Sequence, residues 1–265
     1  MNSFIDFNYI EDNIERLRLQ YRDASPFEHL VIDGFLTRDG LNTIRKEGFF
    51  KTASTKESSS DFLFAKNKIE NPRIEHISGS TRVIREELLS DRFRLALSRI
   101  VSMDLFVDPS FTGGGLHQGG KGSFLEMHAD FTRHPLKKEW IRELNILLYL
   151  NKDYEESWGG CLDLQHAETG EKASISPVEN RAVIMLTKRH TLHGYKPIRF
   201  PSDRFRTSIA AYAYTIDDGT RDVEYASTTW IPQSRLKRAL ATVLNPLVIT
   251  KQKLLGSRTA RRAQR

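Results

Sequence analysis

The chain has 265 residues, of which 39% are hydrophobic and 28% charged, a balance that suits a globular protein with a sizeable core and excludes a largely disordered or membrane-spanning one. Its one cysteine, Cys161, excludes an internal disulfide and any zinc or iron–sulfur site built from several cysteines. The formal net charge of +6 is unevenly placed: no acidic residue follows Glu224, nine basic residues lie between Arg235 and Arg265, and residues 1–224 carry 31 basic against 34 acidic groups. The body is therefore slightly acidic, gives no reason to expect a nucleic-acid partner, and leaves the basic character to the tail.

In chain order, MNSFIDFNYIEDNIERLR has early acidic residues and no basic-then-apolar order, so it does not read as a signal peptide and a cytoplasmic location is expected. Residues 8–21 and 38–48 have apolar positions at helical spacing, the second segment with Thr37 or Asp39 as its cap. Between them, PFEHLVIDGFL is a short apolar run closed by Asp-Gly, the pattern of a strand and turn. Residues 51–73 are polar, Ser-rich and unpatterned and are expected to form a long loop, and residues 82–101 return to period 3.6 as one helix.

From about residue 103 the texture changes to short apolar or alternating runs separated by Gly, Pro, Asp and Asn: GSFLEMHADF, LNILLYLN, GGCLDLQ, KASISPV, RAVIML and RTSIAAYAYT. Helices first and strands after predict a mainly β domain, an antiparallel sandwich or barrel with helices packed outside it. The expected organisation is one domain over 1–232, its site-bearing β core at about 103–216, and a basic helical tail over 233–265. The tail, with SRLKRALATVLNPLVITKQKLL interrupted at Pro246, is expected to cover the protein's own body, with an anionic membrane or polymer as the other partner.

The chemistry is concentrated in GSFLEMHADFTRHP. Residues i and i+2 of a strand share a face, so His128 and Asp130 can reach one point in space. Two histidines and one carboxylate on one face of an iron ion leave three positions for substrates. The third ligand must come from elsewhere: His193 is favoured, because it follows RAVIML after a short turn and precedes Gly194, while His134 and His190 are rivals. In the last strand Arg206 and Ser208 again stand at i and i+2, a planar fork and a hydroxyl suited to a carboxylate. Asn145 shares a face with Tyr149, and His117 either faces a substrate or caps a loop.

With these residues in this order, from about Asp108 to Thr215, the chain resembles the Fe(II)/2-oxoglutarate-dependent oxygenases, and within them the prolyl-4-hydroxylase-like branch. The resemblance implies a double-stranded β-helix, a jelly-roll relative, with helices on its outer sheet. It implies Fe(II) bound by His128, Asp130 and His193, with 2-oxoglutarate and O2 as co-substrates. It also implies the distal carboxylate of 2-oxoglutarate held by Arg206 and Ser208, with Tyr149 adding a phenol and Asn145 within reach of the co-substrate or the substrate. That branch often has Lys where this chain has Arg206, and the gap from His193 is longer than usual, so Arg204 remains a rival. Related halogenases have a small residue where this chain has Asp130, so the resemblance implies oxygen insertion, most simply hydroxylation.

The substrate expected is a small molecule (an amino acid, a sugar or a natural-product intermediate) rather than a peptidyl, prolyl-type side chain, because no separate peptide-binding domain is visible. Two other classes compete: a cupin-like metalloprotein without 2-oxoglutarate chemistry, and a binding protein driven by the tail. Of the remaining candidates, Gly113, Gly114 and Gly115 read as a tight turn rather than a phosphate cradle, Trp158 as packing at a strand bend, and Cys161 as a small buried apolar residue.

Overall fold

The computed structural model describes residues 3–51 and 63–232. The basic tail expected over 233–265 lies outside the described residues, as does the middle of the Ser-rich segment.

The helices come first. The segment expected as one helix over 8–21 is two, α1 (Phe7–Asp12) and α2 (Ile14–Arg22), parted at Asn13. Helix α3 (Arg38–Glu47) starts at Thr37, whose hydroxyl accepts from the N–H of Gly40, and stops at Gly48, which takes the left-handed conformation at φ 65°. The helix expected over 82–101 is also two, α4 (Gly79–Leu88) and α5 (Asp91–Val101). The period survives the break because both pieces bury the same side, Ile84 and Leu88 and then Phe93, Leu97 and Ile100. Local chemistry makes the break: the Ser90 hydroxyl accepts from the N–H of Phe93 and starts a new helix.

The strands are β1 (His29–Asp33), β2 (Ala65–Asn71), β3 (Phe106–Val107), β4 (Gly115–Ala129), β5 (Trp140–Tyr149), β6 (Leu162–His166), β7 (Lys172–Ile175), β8 (Arg181–Leu186), β9 (Thr191–Tyr195), β10 (Arg206–Ile216) and β11 (Thr229–Trp230). Among the described residues they form one antiparallel sheet in the order β1-β8-β5-β10-β4-β9-β6-β7, with β2 and β11 added on β4 and β3 on β10. Residues of β2, β4, β5, β6, β9 and β10 line a single cavity, so the sheet curls on itself. This is the mainly β fold with helices outside that the strand pattern predicted, and the jelly roll that the resemblance implied. One expectation fails: residues 65–71, read as loop, are strand β2. Its sequence, AKNKIEN, lacks β-branched alternation, and pairing with β4 supplies the order that local preference does not.

The period of two sorts the sheet's residues. On β5, Leu144, Ile146 and Leu148 join the helices in the main core, and so do Ile209, Ala211 and Ala213 of β10. Their neighbours Asn145, Tyr149, Ser208 and Tyr212 face the cavity. Strand β10 is buried along its length except at Ile216 because it is covered on both faces. Each large aliphatic side chain buried on the helix side contributes about 1.5–3 kcal/mol, which makes that side the stable base on which the cavity stands. No helix among the described residues is long and apolar enough to cross a membrane.

Candidate metal centre and its cavity

Strand β4 carries the site and is bent to do so. Its first part, Gly115–Gly119, pairs with β10, and its second part pairs with β9 at Leu125 and His128. In the second part His128 lies directly opposite His193, and their rings are 4.2 Å apart. His193 therefore sits on a strand of its own, β9, after the short turn that follows β8. Gly194 beside it is required by space: a Cβ there would stand 2.6 Å from the carbonyl oxygen of Leu125.

Asp130, just past the end of β4, completes a cluster. Its Oδ1 is 3.6 Å from His128 Nε2 and its Oδ2 is 3.5 Å from His193 Nε2. One ligand atom from each of the three residues lies within 4.8 Å of the others, as holding one metal ion requires. The tautomer of His128 is set by its neighbour. Nδ1 is 2.9 Å from the Glu126 carbonyl, which can only accept, so Nδ1 carries the proton and the Nε2 lone pair is left for a metal. Burial, and then the nearby His128, push His193 down to about 3, which keeps its imidazole neutral and able to ligate.

Asp130 is anchored from below. Its Oδ2 accepts from Arg142 Nη2 at 3.0 Å and from Asn145 Nδ2 at 2.8 Å, while Arg142 Nε also donates to Asn145 Oδ1 at 3.0 Å. The Arg142 guanidinium is 1% exposed and lies 3.5 Å above the Tyr212 ring. Burial works against ionisation of Asp130, but the Arg142 charge outweighs it and holds the carboxyl well below the usual carboxylate range. The site is thus charged and oriented by the protein alone.

At the other end of the cavity Arg206 is 7% exposed. Its Nε donates to the Gly160 carbonyl at 2.6 Å, its Nη2 donates to the Tyr149 hydroxyl at 3.2 Å, and its guanidinium lies over the Tyr195 ring. Among the described residues no carboxylate pairs with it. A buried cation without an acidic partner is costly unless an anion from outside completes it, and a planar fork suits a carboxylate. Tyr149 stands across from Ser208 in the β5–β10 register. Burial raises Tyr149 despite the opposing Arg206 charge, so the phenol keeps its proton and can donate it.

His128, Asp130, His193, Arg206, Ser208, Tyr149, Asn145 and His117 all line this one cavity. The rivals lie elsewhere. Arg204 donates to the Lys152 carbonyl and covers Trp158. His134 accepts from the N–H groups of Leu136 and Lys137 and lies beside buried Asp108, and His190 packs on His166. Trp158 packs on Phe200 and Tyr154. Cys161 is half-buried, not fully buried, with the Tyr154 hydroxyl 3.5 Å away.

Three residues of the site escaped sequence reasoning. Strict alternation puts Arg142 and Asn145 on opposite faces, but a bulge between Leu144 and Arg142 brings them together. Lys68, which pairs with Glu70 at 2.7 Å and lines the cavity, lies in the stretch expected as loop. Trp230 on β11 stacks on His128 at 4.8 Å; its presence three positions before the tail carried no signal of this contact.

Comparison with known proteins agrees with this geometry. A family model described as the 2OG-Fe(II) oxygenase superfamily matches residues 111–214, the span that holds every metal-cluster and Arg206-end residue named above. None of the curated proteins matches the chain. Among solved structures the chain is similar to a prolyl hydroxylase in complex with a hypoxia inducible factor oxygen degradation domain peptide fragment from Trichoplax adhaerens, at 15% identity over 80% of this chain and 93% of that one, TM-score 0.53. It is similar to the non-heme alpha ketoglutarate dependent epimerase SnoN from nogalamycin biosynthesis, at 11% identity over 85% and 89%, TM-score 0.53. A 2OG-Fe(II) oxygenase family oxidoreductase from Burkholderia pseudomallei follows at 12% identity over 76% and 90%, TM-score 0.51. At these identities the likeness is one of fold.

Proposed function

We propose that this chain, whose residues 111–214 match the model of the 2OG-Fe(II) oxygenase superfamily, whose members use Fe(II), 2-oxoglutarate and O2, hydroxylates a C–H bond of a small molecule. In this reading His128, Asp130 and His193 hold the iron. Arg206, with the Tyr149 phenol and the Ser208 hydroxyl, holds the distal carboxylate of 2-oxoglutarate. When bound, the iron and its co-substrate supply the oxidation of the substrate by O2, with 2-oxoglutarate leaving as succinate and carbon dioxide.

The chain's own residues prepare the site. Asp130 is kept ionised and aimed by Arg142 and Asn145, and His128 is kept in the ligating tautomer by the Glu126 carbonyl. With a carboxylate at position 130 no coordination place is left for a halide, which favours hydroxylation over halogenation. The observation that carries the reading is the pairing, in one cavity, of the His128–Asp130–His193 cluster with a buried Arg206 that has no acidic partner among the described residues.

A peptidyl prolyl substrate is the competing reading, favoured by the fold shared with the Trichoplax prolyl hydroxylase. Against it, the cavity walls are rich in polar groups beyond those needed for iron and 2-oxoglutarate, which suits a compact polar molecule.

The test is succinate release from 2-oxoglutarate by anaerobically iron-loaded protein after O2 is admitted, in wild type, His128→Ala and Asp130→Ala. Slow release lost in both variants is the expected result. If wild-type Fe(II) protein neither releases succinate nor binds 2-oxoglutarate without O2, the reading falls and a metalloprotein without 2-oxoglutarate chemistry replaces it.

A further inference from the structure

One group in the cavity is used by neither the iron nor the co-substrate. His117 stands on β4 opposite Ser208 on one side and Glu70 on the other. Its neighbour Leu116 belongs to the helix-side core, so by strand alternation His117 faces the cavity, which it lines. The ring is 9% exposed, and its Nε2 is buried with no hydrogen-bonding partner among the described residues.

The proton on this ring has one place to go. Burial, and next the Lys68 ammonium, push His117 down to about 3, so the imidazole is neutral, and the backbone carbonyls of Gly113 and Gly114 lie against it. Carbonyls only accept, so a proton turned toward them leaves Nε2, which has no partner among the described residues, as a bare acceptor. Lys68, on the adjoining strand β2, also lines the cavity and commits one of its three N–H groups to Glu70.

An acceptor buried here needs a donor. The iron is not one, and 2-oxoglutarate, with ionised carboxylates and a keto oxygen, only accepts. A prolyl ring and its imide nitrogen carry no N–H either. Resting on the oxygenase reading above, we propose that His117 and Lys68 form the acceptor and donor halves of a substrate subsite. It selects a small molecule that presents a hydroxyl or an amine N–H to His117 Nε2. A hydroxyl satisfies both halves at once, donating to His117 and accepting from Lys68, which makes hydroxylated substrates the first choice.

Ring-15N histidine NMR on the full chain, loaded with Zn(II) as a diamagnetic stand-in and saturated with 2-oxoglutarate, tests this directly, with His117→Gln identifying the His117 signals. The expected result is the Nδ1–H tautomer, with an Nε2 resonance that moves on addition of L-threonine or methyl glucoside and not with their O-methylated forms. An Nε2–H tautomer overturns the proposal, and so does an Nε2 resonance that no hydroxyl or amine probe moves, which would mean that it serves water alone.

The same pairs, with amines beside their N-methylated forms and a proline-containing peptide, are then compared as stimulators of succinate release by the iron-loaded chain. For the best stimulator, methylating its donor lowers kcat/KM about tenfold or more in wild type. The difference disappears in His117→Leu and persists in His117→Gln, whose amide oxygen still accepts. A proline peptide that stimulates best and is indifferent to His117→Leu overturns the proposal while the oxygenase reading stands. Failure of wild-type Fe(II) protein to bind 2-oxoglutarate sinks that reading instead.

Discussion

The two faces of strands β5 and β10 are built on opposite terms. Toward the helices they present Leu144, Ile146, Leu148, Ile209, Ala211 and Ala213 in an apolar core. One residue along, toward the cavity, they present Arg206, Ser208, Asn145, Tyr149 and Tyr212. The first face releases apolar surface from water and stabilises the fold. The second buries guanidinium, amide and phenol groups, which cost stability unless each finds a partner. Asp130 and Arg142 partner each other, whereas Arg206 has no acidic partner among the described residues. A protein that needed only to fold has no use for that arrangement, so the second face marks where function overrides stability.

This comparison can be broken on either side. The largest effect is expected for Asp130→Ala, which removes one of the three groups proposed to hold iron and the counter-charge of buried Arg142 together. Turnover should fall about 10³-fold or more, and the metal-free protein should lose about 3 kcal/mol, read from urea unfolding. Turnover and iron binding kept at wild-type levels would sink the cluster's role. Arg206→Leu separates function from folding: the KM for 2-oxoglutarate should rise roughly 10- to 100-fold, while the ligand-free protein unfolds at the same or a higher urea concentration. A large loss of stability there would show that the guanidinium is structural.

On the apolar face, Ile146→Ala should cost about 2–5 kcal/mol and leave the KM for 2-oxoglutarate unchanged, checked by urea unfolding beside steady-state kinetics. The smallest effect is one of pH. His117 is neutral in the fold down to about 3, whereas in the unfolded chain an imidazole takes up its proton near pH 6.5. Between those values the unfolded chain holds the extra proton, so stability falls on acidification by about 1.4 kcal/mol per pH unit for this one group. Urea midpoints of metal-free protein at pH 4, 5 and 6 should show a shallower dependence in His117→Leu; an unchanged slope would mean that the ring is accessible to protons in the fold.

Much of this was legible in the sequence. Period-two runs announced the strands. The spacing of His128 to Asp130 and of Arg206 to Ser208 announced shared faces, because in a strand alternation alone determines the side. Where the reading slipped, a short-range signal was absent or ambiguous. The break at Ser90 interrupts a hydrophobic period that continues across it, β2 lacks alternation, and the bulge near Glu143 inverts the parity that would have placed Arg142.

By itself, then, the sequence determined a mainly β chain with helices outside, which residues share a strand face, and a set of groups with the chemistry to bind iron and a carboxylate. The tertiary structure alone decided that His193 lies across from His128, that Arg206 and not Arg204 enters the cavity, that Arg142 anchors Asp130, and that β2 brings Lys68 to the wall where His117 waits for a donor. The reason is physical: alternation is a property of a few consecutive residues, whereas register and closure are settled by pairing strands far apart in the chain, whose choice depends on the whole buried surface.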